Sequence, residues 1–87
     1  MPNPFDSSTR ISYVVPDGIN ASRVQLGIYD PMGRLVRTLI DSSLPGGTYG
    51  VIWDGSNGSG EAVAEGVYFH RLQVNGETLT RRAILVR

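Results

Sequence analysis

The sequence predicts an all-β chain folded as a small antiparallel β-sandwich of six to seven strands. Three observations carry that reading. Short segments alternate apolar and polar residues with a period of two. Turn residues interrupt them every ten or so positions, at Pro16-Asp17-Gly18, Pro31-Met32-Gly33, Leu44-Pro45-Gly46-Gly47 and Asn75-Gly76. With 87 residues and 40% apolar composition, the chain is long enough for one core and too short for two.

The strands follow in order. Thr9 to Val15 places Ile11, Tyr13 and Val15 on one face, and Arg23 to Asp30 does the same with Val24, Leu26 and Ile28. Leu35 to Ile40 is less regular: Val36 and Leu39 lie three apart, so a bulge is expected between them. A short helix over Arg34 to Asp41 competes there, but a segment of that length is marginal as a helix without strong packing. Tyr49, Val51 and Trp53 line one face of the next strand. Val67 to Val74 carries Tyr68, Leu72 and Val74 on one side. Asn75-Gly76 then marks a hairpin, because a type I′ turn needs φ > 0 at both central residues. Thr78 to Val86 is the last strand. Residues 1–8 read as a Pro- and Ser-rich linker leading into the first strand, and residues 9–87 as the sandwich domain.

Composition excludes several chemistries. The eight cations are all Arg, balanced by eight carboxylates, and there is no Lys and no Cys. A Schiff-base lysine, a P-loop lysine, a thiol nucleophile, a disulfide and a thiolate metal site are therefore ruled out. Neutrality argues against nucleic acid or an anionic membrane as partner. No segment approaches the roughly 18 apolar residues of a membrane-spanning helix. Met1-Pro2-Asn3-Pro4 has neither the basic start nor the apolar run of a signal peptide, so the chain reads as a fragment of a longer protein.

The sharpest local pattern is a corner. Trp53-Asp54-Gly55 ends one strand, a Gly-rich loop follows, and Gly66-Val67-Tyr68 begins the next. Immunoglobulin-like sandwiches place a tyrosine at the start of the penultimate strand, with its ring in the core and its hydroxyl bonded back to the preceding turn. This makes Trp53, Asp54, Gly55, Gly66 and Tyr68 the expected structural corner, and an immunoglobulin-like or fibronectin-like sandwich the expected class. His70, the only histidine, has no partner at a recognisable spacing and is expected to be a partly buried filler with one hydrogen bond. The stretch Asp54 to Glu61 carries oxygen ligands but lacks the spacing and helices of an EF-hand, so a solvated hairpin loop is expected, with Asp54 capping a turn. No catalytic, cofactor-binding or metal-binding residue is expected. Tyr29 and Phe69, opposite their strands' apolar sets, are the candidates for a glycan-binding face. Arg81, Arg82 and Arg87 form either a basic patch read by a receptor or a charged edge strand that discourages aggregation.

Taken in order, Asn3-Pro4-Phe5, Ser8-Thr9, Ile28-Tyr29-Asp30, Gly33 to Leu39, Pro45-Gly46-Gly47, Trp53-Asp54-Gly55, Gly60 and Gly66-Val67-Tyr68 form a pattern, closed by a basic-apolar final strand. The pattern resembles the type A C-terminal sorting domain of the bacterial type IX secretion system. It is also similar to the Ig-like domain of flagellar hook-capping proteins. The first resemblance implies a non-catalytic address label at the end of a larger exported protein, preceded by a cargo domain. Such a label is recognised by outer-membrane secretion machinery and removed by a sortase-like peptidase on surface anchoring. It passes through the periplasm to the outer-membrane surface or the medium, without inserting in the membrane. Translocon recognition would then map onto Arg81, Arg82 and Arg87. Two residues depart from that pattern: the last strand has Arg where the family usually has Lys, and His70 replaces a common aromatic or aliphatic residue. The second resemblance implies a structural Ig-like spacer or hook-cap-type module with no sorting role.

Overall fold

The computed structural model describes residues 8–18 and 20–86. Six strands occur in the order β1 (Thr9–Val15), β2 (Ser22–Tyr29), β3 (Leu35–Leu44), β4 (Gly47–Trp53), β5 (Gly66–Val74) and β6 (Glu77–Leu85). They form two antiparallel sheets, a two-stranded one of β1 and β4 and a four-stranded one ordered β3-β2-β5-β6. The all-β sandwich expected from the alternation is the fold observed. The linker reading of residues 1–8, apart from Ser8, lies outside the described residues, as does Asn3-Pro4-Phe5.

Alternation dictates the faces. Ile11, Tyr13 and Val15 from the small sheet meet Val24, Leu26 and Ile28 from the large one, joined by Trp53, Tyr68 and Leu85 in a single core. The three β2 residues are completely buried. At about 1.5–3 kcal/mol for each fully buried aliphatic side chain, this central strand anchors the sandwich.

From Leu35 to Asp41 the segment is strand, not helix, and β3 (Leu35–Leu44) continues past Ile40. Register explains the irregular apolar spacing. Leu26 pairs with Ile40 but Gly27 with Thr38, and Ile28 pairs with Arg37 but Tyr29 with Leu35, so Leu39 and Val36 are each an extra residue on β3. The expected single bulge between Val36 and Leu39 is thus two bulges, at those residues themselves. Each re-aims the strand so that Val36, Leu39 and Ile40 all pack against the core.

At the β5–β6 hairpin Asn75 and Gly76 have φ of 51° and 86°, as the sequence signal requires. Asn75 also ties the hairpin to β2. Its Oδ1 accepts from the Arg23 amide at 3.1 Å, its own amide donates to the Arg23 carbonyl at 3.2 Å, and its Nδ2 donates to Ser22 Oγ.

Candidate functional site

Trp53 and Tyr68 meet edge to face, ring centroids 5.2 Å apart, at one end of the sandwich. Each ring buries its body and keeps one polar atom satisfied. Trp53 Nε1 donates to the Ser56 carbonyl at 2.8 Å, and the Tyr68 hydroxyl donates to the Ala64 carbonyl at 2.6 Å. Gly66 has φ of 147°, which disfavours any side chain, and delivers the chain into β5 so that Tyr68 turns inward. Asp54 Oδ1 accepts from the Ser56 amide at 3.1 Å and from its hydroxyl. These hydrogen bonds, then the Arg37 guanidinium 3.7 Å away, hold the Asp54 carboxyl below the ordinary carboxylate range. Trp53, Asp54, Gly55, Gly66 and Tyr68 therefore lie together around one corner.

The loop between β4 and β5 contains the solvated hairpin expected over Asp54 to Glu61, closed by an antiparallel bridge between Ser56 and Ala62, exposed from Gly58 to Ala62 and capped by Asp54. Its flanking strands belong to different sheets, so it crosses from one layer to the other. Gly55 and Ser56, at its start, are buried. Two residues without a sequence motif organise it. Arg37 reaches from β3 to Ser56 Oγ and to the Asn57 carbonyl. Asn57 Oδ1 accepts from the amides of Ser59 and Glu61, both at 3.0 Å. A second polar tie holds the β2–β3 turn: Asp30 accepts from the amides of Met32 and Arg34 and from Arg34 Nε, all at 2.9 Å. These bonds, the Arg34 amide foremost, lower the Asp30 pKa.

The opposite flank is open. Pairing aligns three rows across the inner face of the large sheet: Val24–Val74–Glu77, Leu26–Leu72–Leu79 and Ile28–His70–Arg81. Burial decreases along each row. The β2 members are completely covered, the β5 members half-buried, and Glu77, Leu79 and Arg81 exposed, Leu79 by 51%. The two-stranded sheet is too narrow to cover them. A cleft of about 340 Å³ results, its walls including Ile11, Tyr13, His70, Leu72, Leu79 and Arg81. It is continued by a second hollow of about 300 Å³ that shares Val14, Leu72 and Leu79 and ends at Pro16 and Glu77.

His70 faces this cleft, and among the described residues it makes none of the expected side-chain hydrogen bonds. Burial, and secondarily the Arg81 charge, push its pKa below the ordinary value. Arg81 and Arg82 stand on opposite faces of β6: Arg81 lies in the inner row beside His70, Arg82 pairs with Phe69 on the outer face. Arg87 lies outside the described residues. β6 is an edge strand of the large sheet. Tyr29 and Phe69 are register partners on the outer face, and both are half-buried. The Arg71 guanidinium sits 4.1 Å from the Tyr29 ring centroid and covers the face a sugar would stack on.

No curated protein matches the chain. Among solved structures it is similar to the crystal structure of FlgD from P. aeruginosa, with a TM-score of 0.64 and 23% identity. That likeness is one of fold; it covers 97% of this chain and 63% of that one, so the chain spans under two thirds of that protein. The family defined as the FlgD Ig-like domain matches residues 4–78, a span that contains the corner, the crossing loop and the first five strands whole. The chain belongs to the FlgD Ig-like domain family.

Proposed function

We propose that this chain is a non-catalytic, Ig-like structural module of the flagellar hook-cap type, one part of a longer exported protein. The family match over residues 4–78 carries the reading. The distribution of polar groups supports it. The carboxylates of Asp30 and Asp54 are engaged in holding their own turns, and the only histidine has an arginine as its charged neighbour, an arrangement that does not orient a general base. The module's work is mechanical: it presents surfaces, and its corner keeps them fixed.

The sorting-domain reading rests on the order of its sequence motifs and on Arg81, Arg82 and Arg87 as contacts for outer-membrane machinery. Neither the family match nor the structural likeness supports it over the hook-cap type. One fusion experiment separates the two. A reporter with a signal peptide, carrying this chain at its C-terminus, is expressed in a bacterium with a type IX system. The structural module leaves tagged and untagged reporter equally retained in the periplasm. Delivery of the tagged reporter alone to the cell surface overturns the proposal in favour of sorting.

A further inference from the structure

We propose that the cleft between β1 and β6 receives a single extended segment from another protein, which adds to the free edge of β1 as a third strand of the small sheet. The inference stands on strand register and burial, and holds whether or not the hook-cap reading does.

Among the described residues β1 pairs only with β4, so its other edge presents backbone donors and acceptors along the cleft. Beneath that edge the floor is the uncovered half of the three rows. An added strand would supply both missing terms, ladder hydrogen bonds to β1 and apolar cover for Leu72 and Leu79. A chain rises about 3.4 Å per residue when extended, so the exposed stretch from Glu77 to Arg81 is about 17 Å long and takes about five residues.

Charge and shape select the occupant. Along the inner face of β6, Arg81, Leu79 and Glu77 alternate with outward residues. Among the described residues neither Arg81 nor Glu77 has an ion-pair partner. An occupant therefore places a carboxylate over Arg81, an apolar residue over Leu72 and Leu79, and a cation over Glu77, each two residues from the next. A second copy adding its own β1 does not match this order, because the inner residues of β1 are Ile11, Tyr13 and Val15, with no charge to set over Arg81 or Glu77.

The test uses the 87-residue chain and a short end-capped peptide with glutamate, valine and lysine at alternate positions and threonine between them, together with its sequence reversal. Binding is followed by amide and methyl NMR. One of the two orders is expected to shift the β1 amides and the Leu72 and Leu79 methyls while leaving the Trp53 indole unmoved. Arg81→Glu should weaken that peptide about fivefold, the effect of one partly exposed ion pair, and favour a version with lysine in place of glutamate. Leu79→Lys should abolish binding; both residues are exposed, and an unchanged Trp53 signal verifies the fold. Methylating the peptide nitrogens that face β1, those of the threonines for one strand direction and those of the residues between them for the other, should also abolish it. The proposal fails if neither order moves the β1 amides at millimolar peptide, or if neither methylated set weakens binding. It fails too if the free chain dimerises with its β1 amides protected, which would assign the cleft to a second copy.

Discussion

The two flanks of this sandwich solve the same problem in opposite ways. At the Trp53–Tyr68 end Leu85, an inner residue of edge strand β6, is 5% exposed; it belongs to one core with both rings, against which Val63 of the crossing loop also packs. Along the β1–β6 cleft nothing among the described residues gives that cover, and Leu79 on the same face of the same strand is 51% exposed. Composition does not separate the two positions, since both are leucines. Cover does. With six strands among the described residues, the β6 edge is covered at its Leu85 end and open at its Leu79 end. The sandwich concentrates its cohesion at one flank and leaves the other as usable surface.

The comparison breaks first if the corner is removed. Trp53→Ala deletes a ring that is 1% exposed, and the loop's bond to Ser56 goes with it. A loss of about 3–5 kcal/mol is expected. Measured by urea unfolding, that removes most of the stability of a domain at the low end of the ordinary range of about 5–15 kcal/mol. A small loss would mean that the loop, not the ring, holds this end. Tyr68→Phe is milder. It keeps the edge-to-face contact and strands the Ala64 carbonyl, for a cost of about 1 kcal/mol and a fall of roughly 4–8 °C in Tm by calorimetry.

Much of this corner was legible in the sequence, and the reason is locality. Trp53-Asp54-Gly55 and Gly66-x-Tyr68 act over a few residues, and so does Asn75-Gly76. The alternation in β1 and β2 named their core residues correctly because a period of two leaves no other choice. What was not legible is long-range. Nothing local in Tyr49-x-Val51-x-Trp53 tells that β4 pairs with β1 rather than with its neighbour β5, so the small hairpin over Asp54 to Glu61 is legible but the crossing between sheets around it is not. The part played by Arg37 depends on which strand passes beside that loop, whereas Asn57 acts locally on the amides two and four residues on. The open cleft depends on how many strands each sheet holds. Period two was enough to separate Arg81 from Arg82, and reading it through β6 would have placed Leu79 and Arg81 together on the inner face.

A smaller effect sharpens the role of the loop's polar ties. Asp54→Ala removes two bonds to Ser56 and the charge facing Arg37, at an exposed site where about 0.5–1 kcal/mol is expected. The loss should depend on pH. The folded-state pKa is depressed, so the carboxylate's contribution is complete above its unfolded value near 4 and is lost as pH falls through the depressed value. Wild type and Asp54→Ala should therefore converge in chemical stability in strong acid and separate above about pH 4. A constant difference across that range would assign the effect to backbone freedom gained by alanine.

The smallest expected effect belongs to the open flank and reports on how far it is covered. His70 is half-buried in the cleft wall, and its pKa is lowered first by that burial and then by Arg81. A histidine with a depressed folded-state pKa binds protons less readily folded than unfolded. Stability is thus full above the unfolded value near 6.5 and declines as pH falls through the folded-state value. The domain should melt at a slightly lower temperature at pH 5 than at pH 7.5, a window clear of the Asp30 and Asp54 titrations. His70→Leu should flatten the profile, since leucine suits a position between Ile28 and the half-buried Leu72 and carries no charge. Arg81→Ser separates the two causes. Burial being the larger, most of the decline should survive that change. If instead Arg81→Ser flattens the profile as fully as His70→Leu does, charge dominates at His70, and this part of the cleft is wetter than its half-buried row implies.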